Sequence, residues 1–567
     1  MKNIFIKPLH LIYTITILII LLYIHLTILD FDNYLISKCS YIKMILSVLI
    51  ETGLIISPVL LNICRLKYMV TSIIIVFIVS FANIFYGRFF HSYFSLVLIG
   101  EYKNLSGLSE SIFSIINIFD IFYIVLILFS VIVILVTFYS NYNKRTFIVL
   151  KINNLKLFLI VCSICVLEVF ITYGAFTWKA FIPNRIIYTI SEEKELYNYN
   201  KELYTFRNGI INTYIRECLD FMYSNESQLS NNEVKNIKDK IRREYNPTNK
   251  SANNIILIIV ESLMSFPIDL VIDEIEITPT LNKLKEEGYY NPNMLSQIEK
   301  GMSSDGQFMY FTGLLPHTYD ITVIDYLQNE YKGLGKYASQ KGMKSIMVIP
   351  TTKHFWHQEE ACESYGVESL WSKENYHCTL DTTYVDEWLN DEQIFNYSRW
   401  ICEDTSYPFF LTILTSSMHM PYYTNFDKAQ IQLSNSKYSY EYINYLQKIN
   451  YTDNQLGKFI QNLKNKGLYD NSIIIIASDH KAPIEFEEVV NYNIPLIITK
   501  CNHLLANDTI GQIDVFPTIM DIMNVPDTIW RGVGYSIYTN KSTNKINYSE
   551  QVEISNLLLE SNFFKYY

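Results

Sequence analysis

Five apolar stretches in the first third of the chain constrain its fold more than any other feature. They run over Leu9–Leu29, Met44–Ile63, Met69–Phe85, Ile121–Phe138 and Leu157–Tyr173. Each is long enough, or nearly so, to cross a hydrocarbon core of about 30 Å. The first is not a cleavable signal: its apolar core is too long, no small-residue cleavage site follows, and four more spans come after it. After about Trp178 the sequence reads as an ordinary soluble domain. A wholly cytosolic enzyme and a disordered chain are both excluded. Lys and Arg number 46 against 56 Asp and Glu, a net charge of −10. No long basic stretch follows the membrane part, so nucleic acid is not an expected partner.

Basic residues set the expected orientation. Lys2 and Lys7 precede the first span, Arg65 and Lys67 lie between the second and third, and Lys144, Arg145, Lys151 and Lys156 lie between the fourth and fifth. The opposite loops carry Asp30, Asp32, Glu101 and Glu110. With the N-terminus inside, everything after about residue 178 is expected outside the cytoplasm. Glu51, Asp120 and Glu168 fall in or beside spans, where charge is costly. The plain expectation is that they pair with Arg88 or polar helix neighbours, or sit protonated; no relay spacing links them. Low Gly and Pro with high Ile, Asn, Tyr and Lys point to an AT-rich bacterial genome. A Cys362–Cys378 bridge is one option for the outer cysteines, but spacing does not fix connectivity.

Residues 192 to about 250 read as a polar connector with helical patches such as Ile210–Met222. The pattern then changes. Ile255–Val260 is a β-branched run suited to a strand buried on both faces. Ser345–Ile349, Phe409–Thr415, Ile473–Ala477 and Leu496–Thr499 read the same way. Helices are expected from Thr278 towards Gly288, over Tyr440–Lys466 and over Ile513–Met523. Strands alternating with helices imply a mostly parallel sheet covered on both faces.

In such sheets ligands bind beyond the carboxyl ends of strands. Glu261 ends the first strand, and Asp479-His480 follow the Ile473–Ala477 strand. Carboxylate and imidazole together suit zinc or manganese, although a lone strand-end Glu is usually a solvated cap and an Asp-His pair usually a turn. Gly301–Phe308 (GMSSDGQF) is a small polar segment ahead of an expected apolar helix, Met309–Leu315. A hydroxyl there gains from helix N–H groups that also bind phosphate. Next to a metal it becomes a nucleophile at neutral pH. The alternative is that Ser303 is an N-cap, worth about 1 kcal/mol. Position alone does not separate the two.

Val260-Glu261-Ser262, Gly301–Asp305 (GMSSD), Thr415–Tyr422 (TSSMHMPY) and Ser478-Asp479-His480 occur in an order and at a spacing that resemble the lipoteichoic acid synthase family, within the alkaline phosphatase and sulfatase superfamily. Thr278-Pro279, Trp388 with Asp391, Tyr451-Thr452-Asp453, Gln512-Ile513-Asp514 and Pro517-Thr518 fit the same pattern. So does the membrane half, with Tyr86–Phe90 (YGRFF) after the third span. The resemblance implies a five-helix transmembrane domain (1–175), a connector (176–252), a sulfatase-like α/β catalytic domain with a mostly parallel central sheet (253–535) and a C-terminal extension (536–567). It implies a multi-pass protein of the bacterial cytoplasmic membrane whose catalytic domain faces the periplasm or exterior.

The resemblance also implies roles. Glu261, Asp479 and His480 match metal ligands for one divalent ion, manganese first, with zinc or magnesium as alternatives. Ser303 stands where the family has a nucleophilic Thr that is also a ligand. His419 matches a histidine near the phosphoglycerol group, Phe355-Trp356 a substrate-contacting segment, and Ser304 a cap or phosphate contact. Two positions depart from the pattern. Gln358 replaces an Arg common in phosphatidylglycerol users, and Ser478-Asp479-His480-Lys481-Ala482 replaces Gly-Asp-His-Tyr-Gly. The implied reaction moves a phospholipid head group onto an envelope glycan or glycolipid through a seryl-phosphate. A phosphoethanolamine transferase is the nearest alternative. A sulfatase would need a Pro and an Arg after the nucleophile that are absent here, and a non-catalytic scaffold need not keep Glu261, Ser303, Asp479 and His480 together.

Overall fold

The computed structural model describes residues 5–6, 8–29, 38–60, 65–90, 92–107, 116–140, 148–149, 196–197, 201–223, 229–241 and 253–566, the last without 319, 377–387, 407, 424–425, 434–436, 502–508, 527–529 and 539–545. The chain divides into two units, Met1–Gly100 with Ile112–Ser224, and Glu101–Ser111 with Asn225–Tyr567.

The first unit holds helices α1 (Pro8–Leu29), α2 (Lys38–Leu60), α3 (Arg65–Phe90) and α4 (Ile118–Ser140). Tyr41–Val59, Leu66–Arg88 and Ile118–Val136 are long and apolar enough to cross a membrane, and the described apolar part of α1 is His10–His25. The fifth stretch, Leu157–Tyr173, lies outside the described residues, as do Glu168, Lys144, Arg145, Lys151 and Lys156. Ile17, Ile20, Leu21 and Ile24, spaced at three to four residues, form the buried stripe of α1 against Val48, Met69, Ile73 and Ile134. Ile75, Ile78, Phe119 and Phe122 stay exposed, as lipid-facing positions would be. Arg88 and Asp120 form a two-pronged ion pair, with Nη2 2.8 Å from Oδ1, which answers the cost of charge among apolar helices.

Helices α5 (Lys201–Asn208) and α6 (Ile210–Tyr223) make a hairpin about Gly209 that packs within this unit. Phe206 and Ile210 join the apolar cluster of α1–α4. Glu51, midway along α2, accepts the Ile211 N–H at 2.7 Å, and the Ser47 hydroxyl donates to the Arg207 carbonyl at 2.8 Å. At the open end Ser92 donates to Glu202 and Tyr93 to Glu217. With about 1.5 Å rise per residue, the tip lies roughly 10 Å from that end. Gly209 has φ +88°, which suits glycine, and a Cβ there would fall 2.2 Å from Glu51 Oε1.

The second unit is built on an eight-stranded sheet of β1 (Asn254–Val260), β2 (Gly288–Leu295), β3 (Lys344–Val348), β4 (Ser369–Trp371), β5 (Phe409–Leu414), β6 (Ser472–Ser478), β7 (Ile494–Thr499) and β8 (Ile510–Gly511), in the order β8-β2-β7-β6-β1-β5-β3-β4. Only β7 runs against its neighbours; the other pairings are parallel. β1, β5, β6 and β7 are buried along their whole length, matching their β-branched runs. On one face Ile256, Ile258, Ile474 and Ile476 pack with Tyr445, Leu446 and Ile449 of a long helix, Tyr440–Asn465. Two results depart from the sequence reading. β2, which carries Asn291, Pro292 and Asn293, is a strand of poor intrinsic propensity held by pairing with β7 and β8. The helix expected over Met309–Leu315 begins at Ser303 instead and runs to Thr312 (α7). Its first turn is polar yet buried, because Asp305 accepts the Glu299 and Gly301 N–H groups. Periodicity does not register such a turn.

Cys218, Cys362, Cys402 and Cys501 are free thiols; Cys378 lies outside the described residues.

Candidate active site

β1 and β6 are parallel neighbours in register, Val260 opposite Ser478. Their carboxyl ends therefore set Glu261 beside Asp479 and His480, all three buried, each offering a ligand atom within 4.8 Å of the others. His480 Nε2 lies 3.5 Å from both Glu261 Oε1 and Asp479 Oδ2. Its Nδ1 lies 2.7 Å from the Lys481 carbonyl, which only accepts. Nδ1 therefore donates that bond, and Nε2 is the ring atom that faces the carboxylates.

Ser303 completes the group. Its Oγ is 3.1 Å from Glu261 Oε2 and 3.1 Å from His480 Nε2. It is the first residue of α7, so the N-cap reading does not hold; that position is Met302, which makes no side-chain cap. Met302 (φ +48°) and Ser262 (φ +52°) are left-handed non-glycine residues beside Ser303 and Glu261. Each costs about 1–2 kcal/mol, recovered in the surrounding contacts. Ser304 turns away: its hydroxyl donates to the Gly301 carbonyl at 2.7 Å, and the residue is buried.

The cluster is a poor resting place for its own charges. Burial, then the Asp479 carboxylate, push the Glu261 carboxyl well above its ordinary range. Two buried carboxylates, an inward imidazole nitrogen and a hydroxyl are a donor set that a divalent cation would satisfy. The ligands are held from outside. Asp479 Oδ1 accepts the Ser262 and His480 N–H groups at 2.8 and 2.7 Å, and the Glu261 N–H donates to Thr415 Oγ1 at 3.0 Å. Gln512 Nε2 donates to the Asp479 carbonyl at 2.7 Å and the Ser478 carbonyl at 3.2 Å, and Tyr310 donates to the latter.

His419 is half-buried, its Nδ1–H donating to the Met420 carbonyl at 2.9 Å, so Nε2 is bare. Burial, then the Lys448 ammonium, lower its pKa to about 4, within the field of His480 and Asp479. It is a neutral imidazole at physiological pH. Lys448 is buried and donates to the His419 carbonyl at 2.6 Å. The His419 ring lies edge-on to Trp388 at 4.7 Å, and Trp388 edge-on to Phe355 at 5.3 Å. Trp356, next in line, has φ +48° and packs edge-on to Phe355.

The structure thus gathers Glu261, Ser303, Asp479 and His480 in direct contact, sets His419 within the field of His480 and Asp479, and joins Trp356 to His419 through Phe355 and Trp388. Several family-pattern residues gain partners that spacing did not supply. Asp391 accepts the Ser416 and Ser417 N–H groups and the Thr452 hydroxyl, fixing the loop that leads to His419. Asp453 accepts the Thr280 and Leu281 N–H groups, capping the Pro279–Glu286 helix.

Residues 253–525 match the sulfatase family. Lipoteichoic acid synthase 2 of Bacillus subtilis is 25% identical over 503 residues, 81% of this chain and 73% of that protein. Lipoteichoic acid synthase of Staphylococcus aureus is 30% identical over 296 residues, 48% of this chain and 45% of that protein, so the match spans less than half of the latter. The integral membrane lipooligosaccharide phosphoethanolamine transferase A of Neisseria meningitidis shares the fold at a TM-score of 0.55 and 13% identity, over 92% of this chain and 96% of that one. Residues 253–525 thus form a sulfatase-family domain, and over 81% of its length the chain is similar to a lipoteichoic acid synthase.

Proposed function

We propose that this enzyme is a metal-dependent phosphotransferase that moves a phospholipid head group of phosphoglycerol type onto a hydroxyl of a cell-envelope glycan or glycolipid, by way of a phosphate ester on Ser303. The observation that carries this reading is the Ser303 hydroxyl at the start of a helix, 3.1 Å from both Glu261 and His480. Glu261, Asp479, His480 and Ser303 would hold one divalent ion, manganese first and zinc or magnesium as alternatives. When bound, the ion favours the ionised hydroxyl and neutralises phosphoryl charge.

The residues of the chain account for the rest. Ser303 attacks phosphorus in line, its proton leaving along its hydrogen bond to Glu261. The bond to the diacylglycerol oxygen breaks, that oxygen takes a proton from solvent and leaves as the hydroxyl, and the head-group phosphate stays on Ser303. In the second step His419 Nε2 takes the proton of the acceptor hydroxyl and passes it to solvent, as that oxygen displaces Ser303, which recovers its proton from Glu261. Phe355, Trp356 and Trp388, packed edge to edge beside His419, would form an apolar wall that limits hydrolysis of the ester. Five spans with the N-terminus inside would hold residues from about 178 onward outside the cytoplasm, beside lipid donors.

The test is mass spectrometry of the Ser303 peptide after incubating the full chain in liposomes of phosphatidylglycerol and phosphatidylethanolamine. Phosphoglycerol on Ser303 supports the reading. Phosphoethanolamine on Ser303 installs the alternative donor, and an unmodified Ser303 alongside lipid turnover overturns the covalent route.

A further inference from the structure

Trp356 and His357 are consecutive left-handed non-glycine residues, φ +48° and +52°, at the head of the buried-side helix Gln358–Tyr365. Such a turn persists only where neighbours fix it from outside. One side is plain: Phe355 leans on Trp388, and Trp388 on His419. The other fastening is the His357 ring. Its Nε2 lies 2.8 Å from Glu101 Oε1, and its Nδ1 3.9 Å from Glu360 Oε2. Glu101 stands far away in sequence, between the third and fourth apolar helices, yet residues 101–111 belong to the same unit as the sheet. The short helix Leu96–Gly107 departs from helical backbone geometry at Glu101 itself, with φ −90° and ψ 15°. The Glu101 and His357 side chains are 17% and 30% exposed, enough shielding for a charge-assisted hydrogen bond to hold a loop.

We propose that Glu101 is a positioning residue for donor binding: through His357 it holds the left-handed turn that presents Trp356 at the wall of the active site. The inference rests on the phosphotransferase reading above. The catalytic group has its own supports, in Thr415, Ser262 and Gln512, so loosening the turn weakens capture of the lipid and leaves the chemical step intact. Neither Glu101 nor His357 approaches the reacting atoms; both act through Trp356.

The experiment uses the full chain in liposomes carrying a fluorescent phospholipid donor, with wild type, Glu101→Gln, Glu101→Asp, His357→Asn and the Glu101→Gln/His357→Asn double variant. Glu101→Gln keeps the size of the side chain and removes its charge. The expected result is a KM raised about tenfold, the loss of one charge-assisted hydrogen bond, with kcat within about twofold. His357→Asn should match it, the double variant should be no worse than either single one, and Glu101→Asp should recover part of the loss. Hydrogen exchange in the peptide spanning 353–358 should quicken in Glu101→Gln and His357→Asn while that of β1 and β6 stays unchanged. A fall in kcat at constant KM, additive single effects, or unchanged kinetics in Glu101→Gln overturns the proposal. If wild type itself releases no diacylglycerol, the phosphotransferase reading fails, and the exchange of 353–358 still tests the fastening.

Discussion

Gly306→Ala isolates the link between packing and chemistry. Gly306 lies three residues after Ser303, on the face of α7 that meets the Asp479 turn. A Cβ there would sit 2.4 Å from the Asp479 carbonyl oxygen, 2.8 Å from its Cα and 2.9 Å from its carbonyl carbon. All three are backbone atoms, which have no rotamer to yield. Ordinary contact begins at 3.4 Å, so α7 and the Asp479 turn must separate by about 1 Å. The turn is pinned by Gln512 and the Ser262 N–H, so α7 gives way, against the Tyr310 bond that ties it to the Ser478 carbonyl, and carries Ser303 with it. The two 3.1 Å contacts of its hydroxyl then open.

The stability change is small and of mixed sign. Overpacking costs about 1–3 kcal/mol, while alanine gains about 0.5–1 kcal/mol over glycine inside a helix. A misplacement of about 1 Å at a reacting atom costs on the order of a hundredfold in rate. The expected variant is folded, with an unfolding free energy within about 2 kcal/mol of wild type, and turns over a fluorescent phospholipid about a hundredfold more slowly. Turnover within about threefold of wild type at matched folding would refute the geometric reasoning, since Ser303 would then tolerate a displacement the contact makes unavoidable.

Other perturbations separate the parts of the site. Ser303→Ala should abolish the covalent ester and turnover, and Ser303→Thr should retain measurable activity. Ser304→Ala should lose only its bond to the Gly301 carbonyl, about 1 kcal/mol of stability; a dead Ser304→Ala beside an active Ser303→Ala would move the nucleophile by one residue. Asp479→Ala should lower divalent-ion affinity by more than the roughly 10–100-fold typical of an outer partner, read by metal content after dialysis; full occupancy would remove Asp479 from the ligand set. His317 tests the electrostatics of the fold away from the site. Burial lowers its pKa, but Asp320 and Glu560 outweigh this and raise it to about 9. A raised histidine contributes fully below its unfolded value of about 6.5, and the contribution disappears as pH passes through about 9. Denaturant unfolding should therefore show wild type above His317→Gln by up to about 3 kcal/mol near pH 6 and by little above pH 9.5; a gap that widens with pH would contradict the pairing.

The sheet was legible where one chemical reason sufficed. The Ile255–Val260 and Ile473–Ala477 runs are too uniformly β-branched for anything but central strands, and each became one within a residue or so. Because parallel neighbours end together, the acids just beyond them were legible as a group. Less visible was β2, whose Asn291-Pro292-Asn293 argues against a strand until β7 and β8 are there to pair with it. The polar first turn of α7 was hidden for the related reason that its partners are backbone N–H groups at Glu299 and Gly301.

That same reason explains what remained opaque around the site. A carboxylate that meets a lysine or a metal leaves a complementary residue to find, whereas a side chain that meets a backbone amide leaves none. Gln512 holds the Asp479 and Ser478 carbonyls, Asp391 holds two amides before His419, and Asp453 caps a helix from across the core. Glu51 is the sharpest case. An acid in the middle of an apolar helix invites a search for a cation, and Asp120 indeed has Arg88. Among the described residues Glu51 has only the His25 ring, at 4.0 Å, and also accepts the Ile211 N–H at the start of a second helix, beside Gly209, whose φ of +88° suits glycine. Any polar backbone group buried among apolar helices needs a partner as much as a charge does. A lone acid in such a helix, with a glycine between two helical segments elsewhere in the chain, is therefore a signal for a hairpin tip as much as for an ion pair.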